Sequence, residues 1–282
     1  MIGNSGKASC ASAVAAAARL IATAHRQLFS DATTAQLARL KAVVCPDAAA
    51  LARQVDLLLV FGGDGTILRV AREIAGSRTP VLGVNIGSLG FLTAIPSSEL
   101  EKALGHVWEG NFKFESRTLI QATGRCNTQL INETALNDIV ISRGISSRLI
   151  ELDVRVDGDP LTRYRCDGLI ISSPTGSTAY GLAAGGAVVF PTANVMSLTP
   201  ICPHTLSNRS LILPLTSTLE VTVMSPRPAT ILSADGQVVS ELSAGDKLTI
   251  RRSRRVVQLM HLAGSSFCGT LRKKLHWRGT TL

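Results

Sequence analysis

Five residues, Gly62-Gly63-Asp64-Gly65-Thr66, set one carboxylate among three glycines. An apolar run at 55–61 leads into them and reads as a buried strand. From Thr66 the pattern reads as the start of a helix. Glycines permit backbone geometry that side chains forbid, and close approach to a ligand. The first N–H groups of a helix favour anions. In open α/β sheets, ligands bind beyond the carboxyl ends of the strands. These residue types at this spacing suit a phosphate site with an acid at its centre. They also suit a tight turn whose aspartate caps the helix.

A second stretch runs Asp167-Gly168-Leu169-Ile170-Ile171-Ser172-Ser173-Pro174-Thr175-Gly176-Ser177-Thr178-Ala179-Tyr180. A buried strand enters a loop crowded with small hydroxyls. Thr175, Ser177 and Thr178 can bind phosphate or hydroxyl groups without bulk. Gly176 lets the backbone approach. Tyr180 offers a ring for a base or sugar and a phenol as donor. A Ser/Thr turn before an Ala-rich helix has the same composition. Between the two stretches, Asn137-Asp138 interrupts an apolar run at 135–140. Adjacent strand residues face opposite ways, so at least one needs a polar partner, which a ribose diol could supply. An edge strand or a bulge is the alternative.

These residues need a scaffold, and the rest of the chain is patterned to build one. Residues 81–85 read as another buried strand, ending in a second glycine loop, Gly87-Ser88-Leu89-Gly90-Phe91. Helices are expected at 8–28, 31–44, 48–54, 67–75 and 96–108, the last capped by Ser97 or Ser98. Strands alternating with helices imply a parallel sheet. After Asn111 the runs are short and alternating. Strands are expected at 117–122, 135–142, 149–156, 164–172, 210–214, 219–224, 230–234, 247–251 and 256–261. Asp157-Gly158-Asp159-Pro160 marks a turn, and Arg251-Arg252-Ser253-Arg254-Arg255 reads as a solvated hairpin turn. Residues 173–208 read as a long non-strand segment, which inside a compact domain is usually functional. A last helix is expected at 267–275.

The 282 residues are 45% hydrophobic and 17% charged, the balance of a packed globular protein. Aromatics at 4% argue against base stacking as the main work. A net charge of +9 attracts anions without choosing among nucleic acid, membrane and polyphosphate. The six cysteines form no C-x-x-C pair and read as buried free thiols of a reducing compartment. With His204 they make no set at metal-ligand spacing. No run reaches 18 uninterrupted apolar residues, and the alanine-rich start is broken by Arg19, so neither a membrane span nor a signal peptide is expected. The sequons at Asn132 and Asn208 read as chance matches. Gly3-Asn4-Ser5-Gly6-Lys7 is faintly like a Walker loop but lacks its spacing.

Taken together and in order, residues 62–66, Asn137-Asp138, and 167–180 followed by Gly185-Gly186 resemble the NAD kinase family. So do residues 87–93 and 198–209. The similarity runs from about Val55 to Trp277. The glycine–aspartate stretch is shared with diacylglycerol and sphingosine kinases and with a phosphofructokinase loop; the Pro174–Tyr180 run is far more specific to NAD kinases.

The resemblance implies transfer of the terminal phosphoryl of ATP to the 2′-hydroxyl of the adenosine ribose of NAD, giving NADP. It implies a Rossmann-like α/β domain (residues 1–112) and a β-rich domain that binds NAD (113–262). A helical tail (263–282) would pack back on the first domain, and the active site would lie in the cleft between domains. By the same resemblance Asp64 is the catalytic base. Gly63, Gly65, Thr66 and Arg69 hold nucleotide, and Phe91 lines the adenine end. Asn137 and Asp138 take ribose hydroxyls. Asp167, Thr175, Thr178, Ala179 and Tyr180 shape the dinucleotide pocket, with Arg148, Arg165 and Gln237 as further contacts. Mg²⁺ or another divalent cation would travel with ATP and need no protein ligand set. A cytoplasmic homo-oligomer is implied, with no nucleic-acid or membrane partner.

The sequence departs from the family pattern at four places. Asp138 stands for a common Glu, Ser173 for Thr and Ala187 for Pro. Only residues 1–7 precede the first helix, where the family opens with a strand and a small polar loop. Two other readings share parts of this pattern. A lipid kinase would keep residues 62–66 and lack 174–180. A non-catalytic nucleotide-binding regulator would keep the pocket and lose Asp64.

Overall fold

The computed structural model describes residues 1–87, 90–126, 129–144, 148–205, 209–225 and 230–277. Of the stretches singled out above, residues 88–89, 206–208 (with the sequon at Asn208) and 278–282 lie outside the described residues. The chain divides into two compact units, Met1–Ser116 with Val256–Leu282, and Arg117–Arg255. The divisions fall within or at the edge of two long strands, Phe112–Cys126 and Lys247–Leu262.

The first unit is built on parallel strands. Leu58–Gly62 pairs with Ile2–Gly3 on one side, Ile2 opposite Val60. On the other it pairs with Val81–Asn85, from Leu58 opposite Val81 to Gly62 opposite Asn85. Ile95–Pro96 and the end of Lys247–Leu262 add to the far edge of Val81–Asn85. Every residue of the two central strands is buried, which explains why their apolar runs do not alternate. Val14, Ala17 and Ile21 of the helix Cys10–Thr23 pack with Leu59, Phe61, Leu82 and Val84, as do Leu100, Ala103 and Leu104 of the helix Leu100–Trp108. Fully burying Phe61 contributes about 1.5–3 kcal/mol.

The second unit is antiparallel. One sheet of six strands runs Leu211–Pro214, Val195–Ile201, Gly168–Ser172, Asp138–Arg143, Thr230–Ala234, Gln237–Leu242. A further antiparallel set places Ile150–Val156 between Asp159–Cys166 and Leu219–Val223. Alternating residues of that set, Ile150, Leu152, Val154, Leu219, Val221 and Val223, share one core with Ile139, Ile141, Leu169 and Ile171 of the six-stranded sheet. The expected Asp157-Gly158 turn is a two-residue hairpin with both residues at positive φ.

The structure corrects several expectations. Residues 31–44 are not one helix: the strand Phe29–Asp31, the helix Ala32–Leu37 and the strand Val43–Cys45 occupy the region, the strands paired in parallel. Each piece is too short for its period to show. Asp31 starts the helix by accepting from Thr34 N at 3.2 Å. Residues 173–208 contain the strand Val195–Ile201, buried through its middle despite its Ser, Thr and Pro. The four arginines at 251–255 make no turn; they lie in the uninterrupted strand Lys247–Leu262, exposed, with Ser253 buried between them. Neither Ser97 nor Ser98 caps a helix; a 3-10 turn Ser97–Glu99 precedes Leu100–Trp108 with no side-chain cap. Four of the six cysteines are buried, but Cys202 and Cys268 are exposed. Asn132 lies exposed in the strand Gln129–Ala135.

The short start nevertheless supplies a first strand, the two residues Ile2–Gly3. Pairing uses one side of its backbone. On the other, Gly3 N donates to Thr34 Oγ1 at 2.7 Å, and both groups are buried. Met1 N donates to Phe29 O at 2.6 Å and Asn4 N to Phe61 O at 2.9 Å at the two ends of the strand, and the Thr34 bond holds it between them. Thr34→Val keeps the shape and strands the amide. We expect it to cost about 1–3 kcal/mol in chemical denaturation; an unchanged denaturation midpoint would show that the bond contributes nothing.

Candidate functional site

The first cluster forms where Leu58–Gly62 gives way to the helix Asp64–Glu73. The helix begins at Asp64, earlier than the apolar pattern suggests, with Gly63 as its N-cap and no side-chain cap. Asp64 therefore does not serve as the cap. Its carboxylate crosses to the second glycine loop, accepting from Phe91 N at 2.8 Å and Leu92 N at 3.0 Å. Gly90 makes this possible, because a Cβ there would overlap the carboxylate. Gly90 N in turn donates to Thr93 Oγ1 at 3.0 Å. Asp64 is thus a half-buried acid held by neutral donors beside the anion-favouring end of a ten-residue helix.

Gly65 is exposed, with open space around it, and Gly63 is half-buried. Thr66 is buried, its hydroxyl accepting from Asn4 Nδ2 at 3.2 Å. Arg69 reaches along its own helix to Glu73, Nη1 to Oε1 at 2.8 Å. The Phe91 ring lies 5.9 Å from the Lys274 ammonium, a cation–π contact.

The second cluster lies in the second unit. Leu136-Asn137 is a break between two strands, Gln129–Ala135 and Asp138–Arg143, rather than the middle of one. The break is held from two sides. Asp235 accepts from Leu136 N (3.0 Å), Asn137 N (2.7 Å) and Asp138 N (3.3 Å). Ser173 N and Ser172 Oγ donate to Asn137 O at 2.9 and 3.2 Å. Ser173 Oγ donates to Leu136 O at 2.5 Å. Gly176 packs against the Asn137 carbonyl so closely that a Cβ would overlap it. The Asp138 carboxyl is buried, and burial first, then the Asp235 charge, push its pKa up to about 7.

The hydroxyl-rich loop is a 3-10 turn, Thr175–Thr178, followed by the short helix Tyr180–Ala183. Thr175 is buried and accepts from the buried Arg117, Nη1 to Oγ1 at 3.4 Å. Ser177 and Thr178 donate to the carbonyls of Pro174 and Thr175. Ser177 also accepts from Val189 N at 2.9 Å. The Ser177 hydroxyl is thus committed to the protein's own backbone. Ala179 is half-buried, and Tyr180 presents its ring to solvent at 47% exposure. Asp167 accepts from Arg143 Nε at 2.7 Å, and Arg165 sits 3.1 Å from Glu151 on the adjacent strand. Arg148 and Gln237 are exposed, Gln237 two residues beyond Asp235.

The structure thus gathers Gly63, Asp64, Gly65, Thr66 and Phe91 around one acid, and Asn137, Asp138, Thr175, Thr178 and Ala179 around one strand break. Arg69 and Arg165 are engaged in ion pairs on helix and hairpin surfaces. Sequence reasoning missed Asp235, Arg117 and Asn4. Asp235-Gly236 was legible as a hairpin turn, and Asp235 does sit at positive φ. Its grip on residues about a hundred positions away was not legible. Among the described residues there is no cluster of three or more His, Cys, Asp or Glu side chains suited to a metal. No described helix is long and apolar enough to cross a membrane.

One cluster can receive phosphate and a proton; the other can receive hydroxyls and a ring. Residues 21–112 match the model of the ATP-NAD kinase N-terminal domain, and residues 136–262 that of the ATP-NAD kinase C-terminal domain. The NAD kinase of Cupriavidus pinatubonensis is 42% identical over 228 residues, 80% of this chain and 74% of that one. That of Moorella thermoacetica is 43% identical over 242 residues, 85% and 78% of the two chains. Among solved structures, yeast NADH kinase complexed with NADH aligns with a TM-score of 0.85 at 28% identity, covering 95% of this chain and 85% of that one. An NAD kinase from Archaeoglobus fulgidus in complex with ATP aligns with a TM-score of 0.69 at 28% identity, covering 86% and 92%. With matched family models spanning most of its length and relatives above 40% identity over four fifths of it, this chain belongs to the NAD kinase family.

Proposed function

We propose that this enzyme phosphorylates the 2′-hydroxyl of the adenosine ribose of NAD from ATP, with Asp64 as the proton acceptor. The observation that carries the assignment is the Asp64 carboxylate, fixed by the Phe91 and Leu92 amides at the start of the glycine-loop helix. The ribose oxygen forms a bond to the terminal phosphorus of ATP. The bond from that phosphorus to the bridging oxygen breaks, and ADP leaves with its electron pair. The hydroxyl proton passes to Asp64. A carboxylate is a weak base beside an alkoxide, so Asp64 chiefly orients the hydroxyl and takes its proton late. The helix N-terminus and loop amides receive the phosphate charge.

Asn137 and Asp138 bind ribose hydroxyls, and Tyr180, Ala179, Thr178 and Thr175 bound the dinucleotide. Gly63, Gly65, Thr66, Arg69 and Phe91 serve the nucleotide, with Asp167, Arg148, Arg165 and Gln237 as outer contacts. A divalent cation, Mg²⁺ by preference, offsets phosphate charge when it arrives with ATP, ligated mainly by phosphate oxygens and water. Unpaired cysteines support a reducing, cytoplasmic setting. The family resemblance alone carries the homo-oligomer.

Asp64→Asn preserves size and keeps one acceptor oxygen for the Phe91 and Leu92 amides. Its kcat for NADP formation should fall about a hundredfold or more with the melting temperature little changed. A folded variant with near-parental turnover would remove Asp64 from the chemistry.

Asp138 carries a pH signature. Its folded pKa of about 7 lies above the ordinary carboxyl value of 3.8. The group therefore favours the folded state at low pH, and that contribution is lost as pH rises from about 4 to about 7. As an acceptor for two hydroxyls it must be ionised. The kcat/KM for NAD should rise through a pKa near 7, and Asp138→Asn should flatten that limb. The same limb in both proteins would assign it to another group.

Asp235→Asn weakens the grip on the Asn137 break by removing a charged acceptor. We expect the KM for NAD to rise about tenfold while the KM for ATP holds. Equal effects on both substrates would mean that Asp235 supports the fold rather than the NAD subsite.

A further inference from the structure

The Gly3-Asn4-Ser5-Gly6-Lys7 loop joins the strand Ile2–Gly3 to the helix Cys10–Thr23. Its placement is fixed at Asn4. The Asn4 amide donates to Phe61 O at 2.9 Å, and its side chain donates to Thr66 Oγ1 at 3.2 Å. Asn4 Oδ1 accepts from Gly6 N at 3.0 Å, and Asn4 O accepts from Lys7 N at 3.2 Å. The loop is thereby tied to the end of the glycine-loop strand and the first turn of the helix that carries Asp64.

This arrangement delivers the Lys7 ammonium between the two glycine loops. Its Nζ lies 3.7 Å from where a Cβ on Gly63 would stand and 3.5 Å from the corresponding point on Gly87. It donates to Ile86 O, at the carboxyl end of Val81–Asn85. An ammonium has three donors, and this one has no carboxylate partner among the described residues. Neither Gly63 nor Gly87 places a Cβ against it. Arg69, the cation expected from the helix itself, is occupied with Glu73.

We infer that Lys7 binds the terminal phosphoryl group of the donor and supplies the positive charge that the glycine loops lack. This deepens the phosphotransfer reading of the Asp64 loop and rests on it. Lys7 forms and breaks no covalent bond in the step. Its charge meets the phosphoryl oxygens as the bridging P–O bond breaks, while the hydroxyl proton goes to Asp64. A lysine acts here as a compact point charge with rotatable donors, so arginine can partly replace it.

The test is steady-state kinetics of Lys7→Met and Lys7→Arg, with ATP and NAD varied separately and melting temperatures measured alongside. Lys7→Met should raise the KM for ATP, lower kcat, or both, so that kcat/KM for ATP falls about tenfold or more. Its KM for NAD should stay within about twofold, and Lys7→Arg should recover most of the loss. The inference is overturned if Lys7→Met retains parental kcat/KM for ATP. It is equally overturned if ATP and NAD suffer alike with a fall in melting temperature, or if Lys7→Arg is as impaired as Lys7→Met. Asp64→Asn, assayed in parallel, separates the two claims. If it stays active, the site reading itself fails; if it is inactive while Lys7→Met is normal, only the role of Lys7 fails.

Discussion

Two hydrogen bonds, from the Phe91 and Leu92 amides to the Asp64 carboxylate, set most of what the first unit can do. They aim the acid away from capping its own helix and fix it against the second glycine loop. They require close approach, so residue 90 must lack a Cβ. They also require that Leu58–Gly62 and Val81–Asn85 end side by side, which their parallel pairing in register ensures. The sheet is thus the reason two loops distant in sequence meet, and the acid is the joint between them.

The second unit solves the same problem with a different acid. Asp235 holds three successive amides at a place where the chain leaves one strand and enters another. A strand break exposes backbone donors that the ladder no longer satisfies, and a carboxylate can take several of them. The cost is a like charge near Asp138, which together with burial raises the Asp138 pKa to about 7. That cost has a use: an acid titrating near neutrality can respond to whether a ligand replaces the solvent it has lost.

Much of this was legible in the sequence. Buried strands announce themselves as short apolar runs: those at 55–61 and 81–85 point to Leu58–Gly62 and Val81–Asn85, and the expected strand at 164–172 covers Gly168–Ser172 and the end of Asp159–Cys166. Residues 62–66 and 174–180 stand out in the sequence because each follows a buried strand with small, polar residues. What escaped has a common physical cause. The strand Val195–Ile201 is buried by its neighbours on both edges, not by its own hydrophobicity. The pair Phe29–Asp31 and Val43–Cys45 is stabilised by mutual pairing too short to have a period. The run Arg251–Arg255 looked like a turn because local composition says so, but the ladder with Leu219–Val223 carries the strand up to it. Asp235 and Asn4 act through hydrogen bonds across long sequence separations, which no local pattern encodes.

The choice of partners at these acids bears on how a protein of net charge +9 arranges its cations. Asp64 and Asp235 are both held by backbone amides, which are neutral and fixed by secondary structure. Had an arginine or lysine held Asp64, the pair would have been neutral, and the cation would have been lost to an anionic ligand. Amide donors leave the negative charge of Asp64 in place for a proton. They also leave positive charge at the loops to be supplied separately, by the helix terminus and by Lys7 on a loop of its own. An acid and a cation can therefore stand at one pair of glycine loops without cancelling each other. That condition is what a site must meet to accept a proton and a phosphoryl group in the same step.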